Sequence, residues 1–196
     1  MKGSTTLLWT VAALTLGAVQ FASAQEPDAR HGFWAALGLG YGANSLSCSG
    51  GCDFNSEAKG GATTVALKMG GTPKSTLRLG GEVNLWVKDV SGVTESVGNI
   101  SAVAYLYPSP RSGFFVKGGV GLASFQLSQG NSTASADGPG FLAGLGYDIR
   151  LSRKIALTPV ANVYYGHDGD LKDGSNVVIP GIKHTIVDFG VSVQYN

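Results

Sequence analysis

The residues that could do chemistry are few and scattered. Three histidines occur, His31, His167 and His184. A histidine beside a serine and a carboxylate makes a nucleophilic site, because the imidazole takes the hydroxyl proton while the acid orients the ring. Ser91, Ser96, Ser128 and Glu95 fall in the stretches where His167 and His184 would need such partners. No motif brings any two of these within hydrogen-bond reach, so catalysis is not expected. HDGDLKDG (167–174) offers Asp168, Asp170 and Asp173 as hard oxygen ligands for a cation such as Ca²⁺. It lacks the spacing and closing glutamate of an EF-hand, and Asp and Gly equally build turns, so no metal is assigned and no cofactor is expected. CSGGC (48–52) places Cys48 and Cys52 in a Ser/Gly-rich stretch. Three intervening residues suit a small disulfide ring, whereas oxidoreductases space the pair by two.

What must position these groups is a series of strands. Eight segments of about ten residues alternate apolar with polar or small side chains: 33–44, 60–70, 76–89, 97–107, 113–128, 138–152, 154–166 and 182–196. No helical periodicity competes, so the chain reads as all-β. In 76–89, Leu77, Leu79, Val83, Leu85 and Val87 share one face, and Arg78, Glu82, Asn84, Trp86 and Lys88 the other. Phe141, Ala143, Leu145, Tyr147 and Ile149 likewise oppose Gly144, Gly146, Asp148 and Arg150. Segment 97–107 is mixed on both faces and leaves Tyr105 and Tyr107 unassigned. Connections alternate between short (GTPKS, PSPRS, SRK) and long (45–59, 90–96, 129–137, 167–181). The short ones carry Lys74, Arg111, Arg153 and Lys154 and no acid; the long ones are mainly acidic. Pro159 interrupts a strand and calls for a bulge or a place near a turn.

The beginning of the chain supplies the compartment. Residues 1–24 contain Lys2, the apolar run LLWTVAALTLGAV and Ala22-Ser23-Ala24, the layout of a cleaved secretory leader. Cleavage is expected between Ala24 and Gln25, leaving a lead-in at 25–32 and one domain at 33–196. Lys2 aside, 13 basic residues balance 13 acidic ones, so nothing points to nucleic acid. Strands of about 9–11 residues span a bilayer when tilted. Exported, alternating strands of this length therefore describe an eight-stranded antiparallel up-and-down transmembrane β-barrel with short periplasmic turns and longer extracellular loops. Phe33, Tyr41, Tyr105, Tyr107, Phe114, Tyr147, Tyr165 and Tyr195 lie near strand ends, where aromatic girdles sit.

FFVKGGVGLASF (114–125) and AGLGYDIRLSRKIALTP (143–159) resemble the eight-stranded outer-membrane barrel superfamily, which includes the OmpA-type transmembrane domain and the opacity-type proteins. The likeness runs over residues 33–196. It implies a bacterial outer-membrane location, contact with membrane lipid and lipopolysaccharide, and insertion by the barrel-assembly machinery. The family's closing strand is its address, and Asp188, Gly190, Val193 and Tyr195 match the spacing; Asn196 after the last aromatic departs from it. A barrel this narrow is filled by side chains. Lys68, Arg78, Lys117 and Arg150 should therefore meet Glu82, Asp148 and Asp188, helped by Asn84 and Asn162, in an interior network. The expected role is structural or surface-interacting in a monomer, with any extracellular ligand held by the long loops. A small gated channel, a lipid-modifying enzyme and a soluble lipocalin-like binder (from Gly32-Phe33-Trp34) are the alternatives.

Overall fold

The computed structural model describes residues 30–49, 60–90, 92–130 and 132–196. The leader, its cleavage point at Ala24 and Gln25, and Cys52 lie outside the described residues. The strands are β1 (Gly32–Ser47), β2 (Gly60–Lys74), β3 (Leu77–Val90), β4 (Val93–Leu106), β5 (Phe114–Gln129), β6 (Ser132–Tyr147, resuming at Ile149–Arg150), β7 (Ile155–Asp173) and β8 (Asn176–Tyr195). Each pairs antiparallel with its chain neighbours, and β1 pairs with β8, so the sheet closes on itself. Closure removes the free edges that an open sheet would present.

Alternation does the sorting. On β1, Leu39 is 63% exposed while Trp34 is 1% exposed; on β8, Phe189 is 66% exposed and Asp188 3%. Phe33, Tyr41, Val83, Leu85, Val120, Leu122, Phe141, Val163, Val191 and Val193 all face outward. The charged residues Lys68, Arg78, Glu82, Lys117, Asp148 and Asp188 are all buried inside. A soluble barrel would show the reverse. An apolar exterior around a polar interior is the arrangement that lipid stabilises.

One end holds Arg30, Asn196 and the turns at 75–76, 107–113 and 151–154; we call it the terminal end. The other, distal end differs from expectation. The stretches 90–96, 129–137 and 167–181, anticipated as long loops, are largely strand, continuing the β3–β4, β5–β6 and β7–β8 pairings almost to their turns. Most outward residues at this end, including Ser45, Thr94, Ser96, Gln126, His167 and Thr185, are polar, with Val177 and Val178 as exposed exceptions near the β7–β8 turn. Without apolar alternation these rungs carry no hydrophobic signature, yet the backbone ladder persists above the apolar band. Strands of 14 to 20 residues thus exceed what crossing a bilayer requires.

Pro159 is accommodated by its partner strand. The pairing runs unshifted from Gly146↔Val160 to Ile149↔Leu157, and β6 is interrupted at Asp148, opposite Thr158 and next to the Tyr147–Pro159 rung. Proline offers no N–H to the ladder, and at Asp148 the backbone bonds to the β5 side, its amide donating to the Gly113 carbonyl at 2.9 Å. No bulge is needed.

Candidate functional site

The site with most chemistry is the barrel interior. At its centre Glu82 of β3 accepts two bonds from Lys117 Nζ of β5, at 2.6 and 2.8 Å. Tyr105 of β4 donates to the same carboxylate at 2.9 Å and Tyr164 of β7 at 2.7 Å. The ion pair is completely buried. Such a pair persists in a dry interior only when its remaining lone pairs are bonded, as they are here. Gly144 makes the room: a Cβ there would lie 2.9 Å from Lys117 Cε and 2.6 Å from Asn162 Oδ1.

Next to it, Asp188 accepts from Asn162 Nδ2 at 2.8 Å and from the Thr64 hydroxyl. Lys68 donates to the Ser192 hydroxyl at 3.0 Å. The expected partnership of Asp188 with a Lys or Arg is replaced by neutral donors. A cavity of about 10 Å³ lies between Lys68, Asn162, Asp188 and Ser192, room for a single water. The Asn162 Oδ1 atom, buried without a hydrogen-bond partner among the described residues, is suited to bond it.

At the terminal end, Asp148 is the focus. Its carboxylate accepts from Tyr107 and Thr158, each at 3.0 Å, and lies 3.4 Å from Arg78 and 3.6 Å from Arg30. Arg30 stacks 3.7 Å above the Tyr107 ring and donates to the Pro110 carbonyl at 3.1 Å. Arg78 donates to the Asn196 side chain, which also accepts from Gln194 at 3.1 Å. The Asn196 amide bonds the Lys154 carbonyl at 2.9 Å. Asn196, odd as a terminal signal, is therefore an interior acceptor for a buried cation. Trp34, Tyr105 and Phe115 pack edge-on and Tyr107 tilts against Phe115 beside these groups, with ring centroids 5.1 to 5.5 Å apart. Tyr105 and Tyr107 are thus inward residues, not girdle members. Their parity with Asn99 and Ser101, both buried, was the signal available for them.

Towards the distal end, Asp168 continues the inward parity of Asn162, Tyr164 and Gly166 along β7, and a bulge closed by Gly169 (φ +81°) then re-phases the strand so that Leu171 also faces inward. It meets His184 of β8, with Nδ1 and Oδ2 2.7 Å apart, and His184 Nε2 lies 3.5 Å from the Asn99 amide. Gly166 admits the ring, since a Cβ there would lie 2.2 Å from His184 Cε1. Asn44 donates to Glu95 at 2.9 Å in the same region. His31 and His167 are exposed, and the Ser128 hydroxyl lies against Thr133 at 3.3 Å. Among the described residues no nucleophile joins the His184–Asp168 pair. Nor do the three aspartates of 167–174 converge: Asp168 is inside, Asp170 accepts from the Gly181 amide at 2.9 Å, and Asp173 is exposed. Apolar Leu46, Phe125, Leu171 and Ile182 pack beside this layer.

Two further expected residues have quieter places. Arg150 is half-buried at the terminal rim, and Asn84 is buried with its Oδ1 unpaired among the described residues. Arg30, Thr64, Asn99, Thr158, Tyr164, His184 and Ser192 complete the interior network and were not singled out for it by sequence.

No protein-family model matches the sequence, and no curated protein does. Solved structures do match. Neisserial surface protein A is 15% identical, covering 82% of this chain and 96% of its own, with a TM-score of 0.54. Ail, the attachment invasion locus protein of Yersinia pestis, is 10% identical over 84% of this chain and 99% of its own, at 0.49. The outer membrane protein OprG from Pseudomonas aeruginosa is 12% identical over 87% and 98%, at 0.48. At these identities likeness speaks to fold and leaves activity to the site. The chain has the fold of the small eight-stranded bacterial outer-membrane β-barrels.

Proposed function

We propose that the protein is a non-enzymatic barrel of the bacterial outer membrane, with its terminal end in the periplasm and its distal hairpins outside, serving a structural or surface-interaction role. The observation that carries this reading is an interior filled by side chains within an apolar exterior. Beside three of the glycines that line the interior, Gly144, Gly146 and Gly166, the space is occupied by Lys117, Phe115 and His184, which supports this reading. Tyr105, Tyr164 and Lys117 converge on Glu82 across the middle, each donating to its carboxylate. An interior of this kind favours a rigid scaffold over an ion path.

The distal hairpins present Asp89, Asp137, Asp170 and Asp173 to solvent and are the surface through which any external ligand would be met. His184, engaged with Asp168 and Asn99, serves in this reading as an interior hydrogen-bonding group rather than a base. Outer-membrane lipid and lipopolysaccharide surround the apolar band of a monomer. The assembly machinery reads Gly190, Val193 and Tyr195 on the closing strand, with Asp188 already committed to the interior. The Cys48–Cys52 disulfide staples the first distal connection, and residues 1–24 are removed on export. Planar-bilayer recording of the refolded barrel tests the filled interior. No steady openings are expected; sustained unitary conductance would establish a channel instead.

A further inference from the structure

The four basic residues of the terminal turns have no part in the interior network. Lys74, Arg111, Arg153 and Lys154 sit on or next to the three turns at 75–76, 107–113 and 151–154, and all four are exposed. Among the described residues the only acid at this end is Asp148. It is 6% exposed and already engaged by Arg30, Arg78, Tyr107 and Thr158. Among the described side chains the rim therefore carries more positive than negative charge. The distal end carries the opposite sign among the described residues, with Asp89, Asp137, Asp170 and Asp173 exposed against Lys172 and the half-buried Lys88 and Lys183.

Beside the rim lies an apolar shelf. Leu151 is 60% exposed within the β6–β7 turn itself, and Ile149, Ile155, Tyr147 and Tyr195 continue outward-facing from it. Lys154 Nζ stands 5.8 Å from the centre of the Tyr195 ring. Exposed guanidinium and ammonium groups bordering exposed aliphatic and aromatic side chains match the two parts of a phospholipid, a phosphodiester and the acyl chains below it.

We infer that this rim binds the phosphate headgroups of anionic glycerophospholipids in the leaflet facing the terminal end, through Lys74, Arg111, Arg153 and Lys154. The inference rests on the membrane reading above and adds to it a lipid class and a leaflet. Electrostatic attraction of this kind amounts to about fivefold per basic residue near an anionic surface, and it is screened by salt.

The test separates the two claims. Heat-modifiable insertion of the refolded barrel into pure phosphatidylcholine vesicles checks the membrane reading alone. The barrel is then equilibrated with equimolar phosphatidylglycerol and phosphatidylcholine, and retained lipids are counted by native mass spectrometry. Preference for phosphatidylglycerol by about tenfold or more is expected. It should collapse to near unity in Lys74→Gln/Arg111→Gln/Arg153→Gln/Lys154→Gln, and persist in the distal control Lys172→Gln. Equal retention by the native protein, or full preference in the quadruple variant once it is shown to insert, would overturn the proposal. A competition arm with lipid A discriminates the leaflet: stronger retention of lipid A through the same four residues would overturn the assignment to this one.

Discussion

Replacing Glu82 by glutamine gives the sharpest test of the interior. The substitution keeps the shape but removes the charge opposite Lys117, whose ammonium lies 2.6 Å away and is fully buried. Breaking a buried pair by neutralising one partner costs about 3–5 kcal/mol, because the other charge is left without compensation. Tyr105 and Tyr164 now donate to an amide oxygen and meet an amide NH₂ on the other arm, so one hydroxyl loses its acceptor, adding about 1–3 kcal/mol. Against a stability of about 5–15 kcal/mol, the single variant should be markedly weakened. Glu82→Gln/Lys117→Met, which removes both charges at similar volume, should recover most of that loss. Urea unfolding in lipid vesicles, followed by the fluorescence of buried Trp34 and Trp86, measures all three proteins. A loss of under about 1 kcal/mol for Glu82→Gln, or no recovery in the double variant, would refute the claim that this pair organises the core.

Three other outcomes follow from the same geometry. Deleting Asn196 withdraws an acceptor from buried Arg78 and should lower stability by about 1–3 kcal/mol in the same urea assay, while Tyr195→Ala, which changes the outer face, should lower insertion yield instead. Gly166→Ala should displace His184, losing at least about 1 kcal/mol, whereas Gly118→Ala, whose Cβ would meet only a carbonyl at 4.0 Å, should be near neutral in its packing contacts; equal effects would contradict the assigned packing. Above the apolar band, burial pushes the Glu95 carboxyl up from its usual value, opposed by the Asn44 hydrogen bond and by Lys88. A raised acid holds more protons folded than unfolded, so its contribution is full at low pH and is lost as pH rises through the raised value. Glu95→Gln should therefore flatten the decline in stability above about pH 4.5, and an unaltered pH profile would count against it.

Several parts of this interior were open to reading from parity alone. Lys68, Arg78, Glu82, Lys117 and Asp188 each sit among apolar residues two apart, and all of them point inward. The same rule, carried one step further along β8, would have placed Asn196 with Gln194 and Ser192, inside. Tyr105 and Tyr107 escaped because the outer face of β4 is made of Gly98, Ala102 and Ala104 as well as Ile100 and Leu106, which blurs the contrast between faces. Small residues satisfy lipid and interior alike, so alternation loses its contrast there.

The sequence by itself determined the side of the wall on which nearly every residue stands, since a strand's period of two leaves a side chain only two directions. It also determined that the apolar side must be the outer one once export and strand length are considered together. Which inward groups meet was decided only by closure of the barrel. Thr64 and Asp188 are 124 residues apart, as are Lys68 and Ser192, and Glu82 and Tyr164 are 82 apart. Such contacts depend on the stagger between strands and on the space across the lumen, to which each strand contributes equally and no strand encodes alone. The same holds for Asp168: the parity of Asn162, Tyr164 and Gly166 carries it inside, but only the pairing of β7 with β8 sets it against His184.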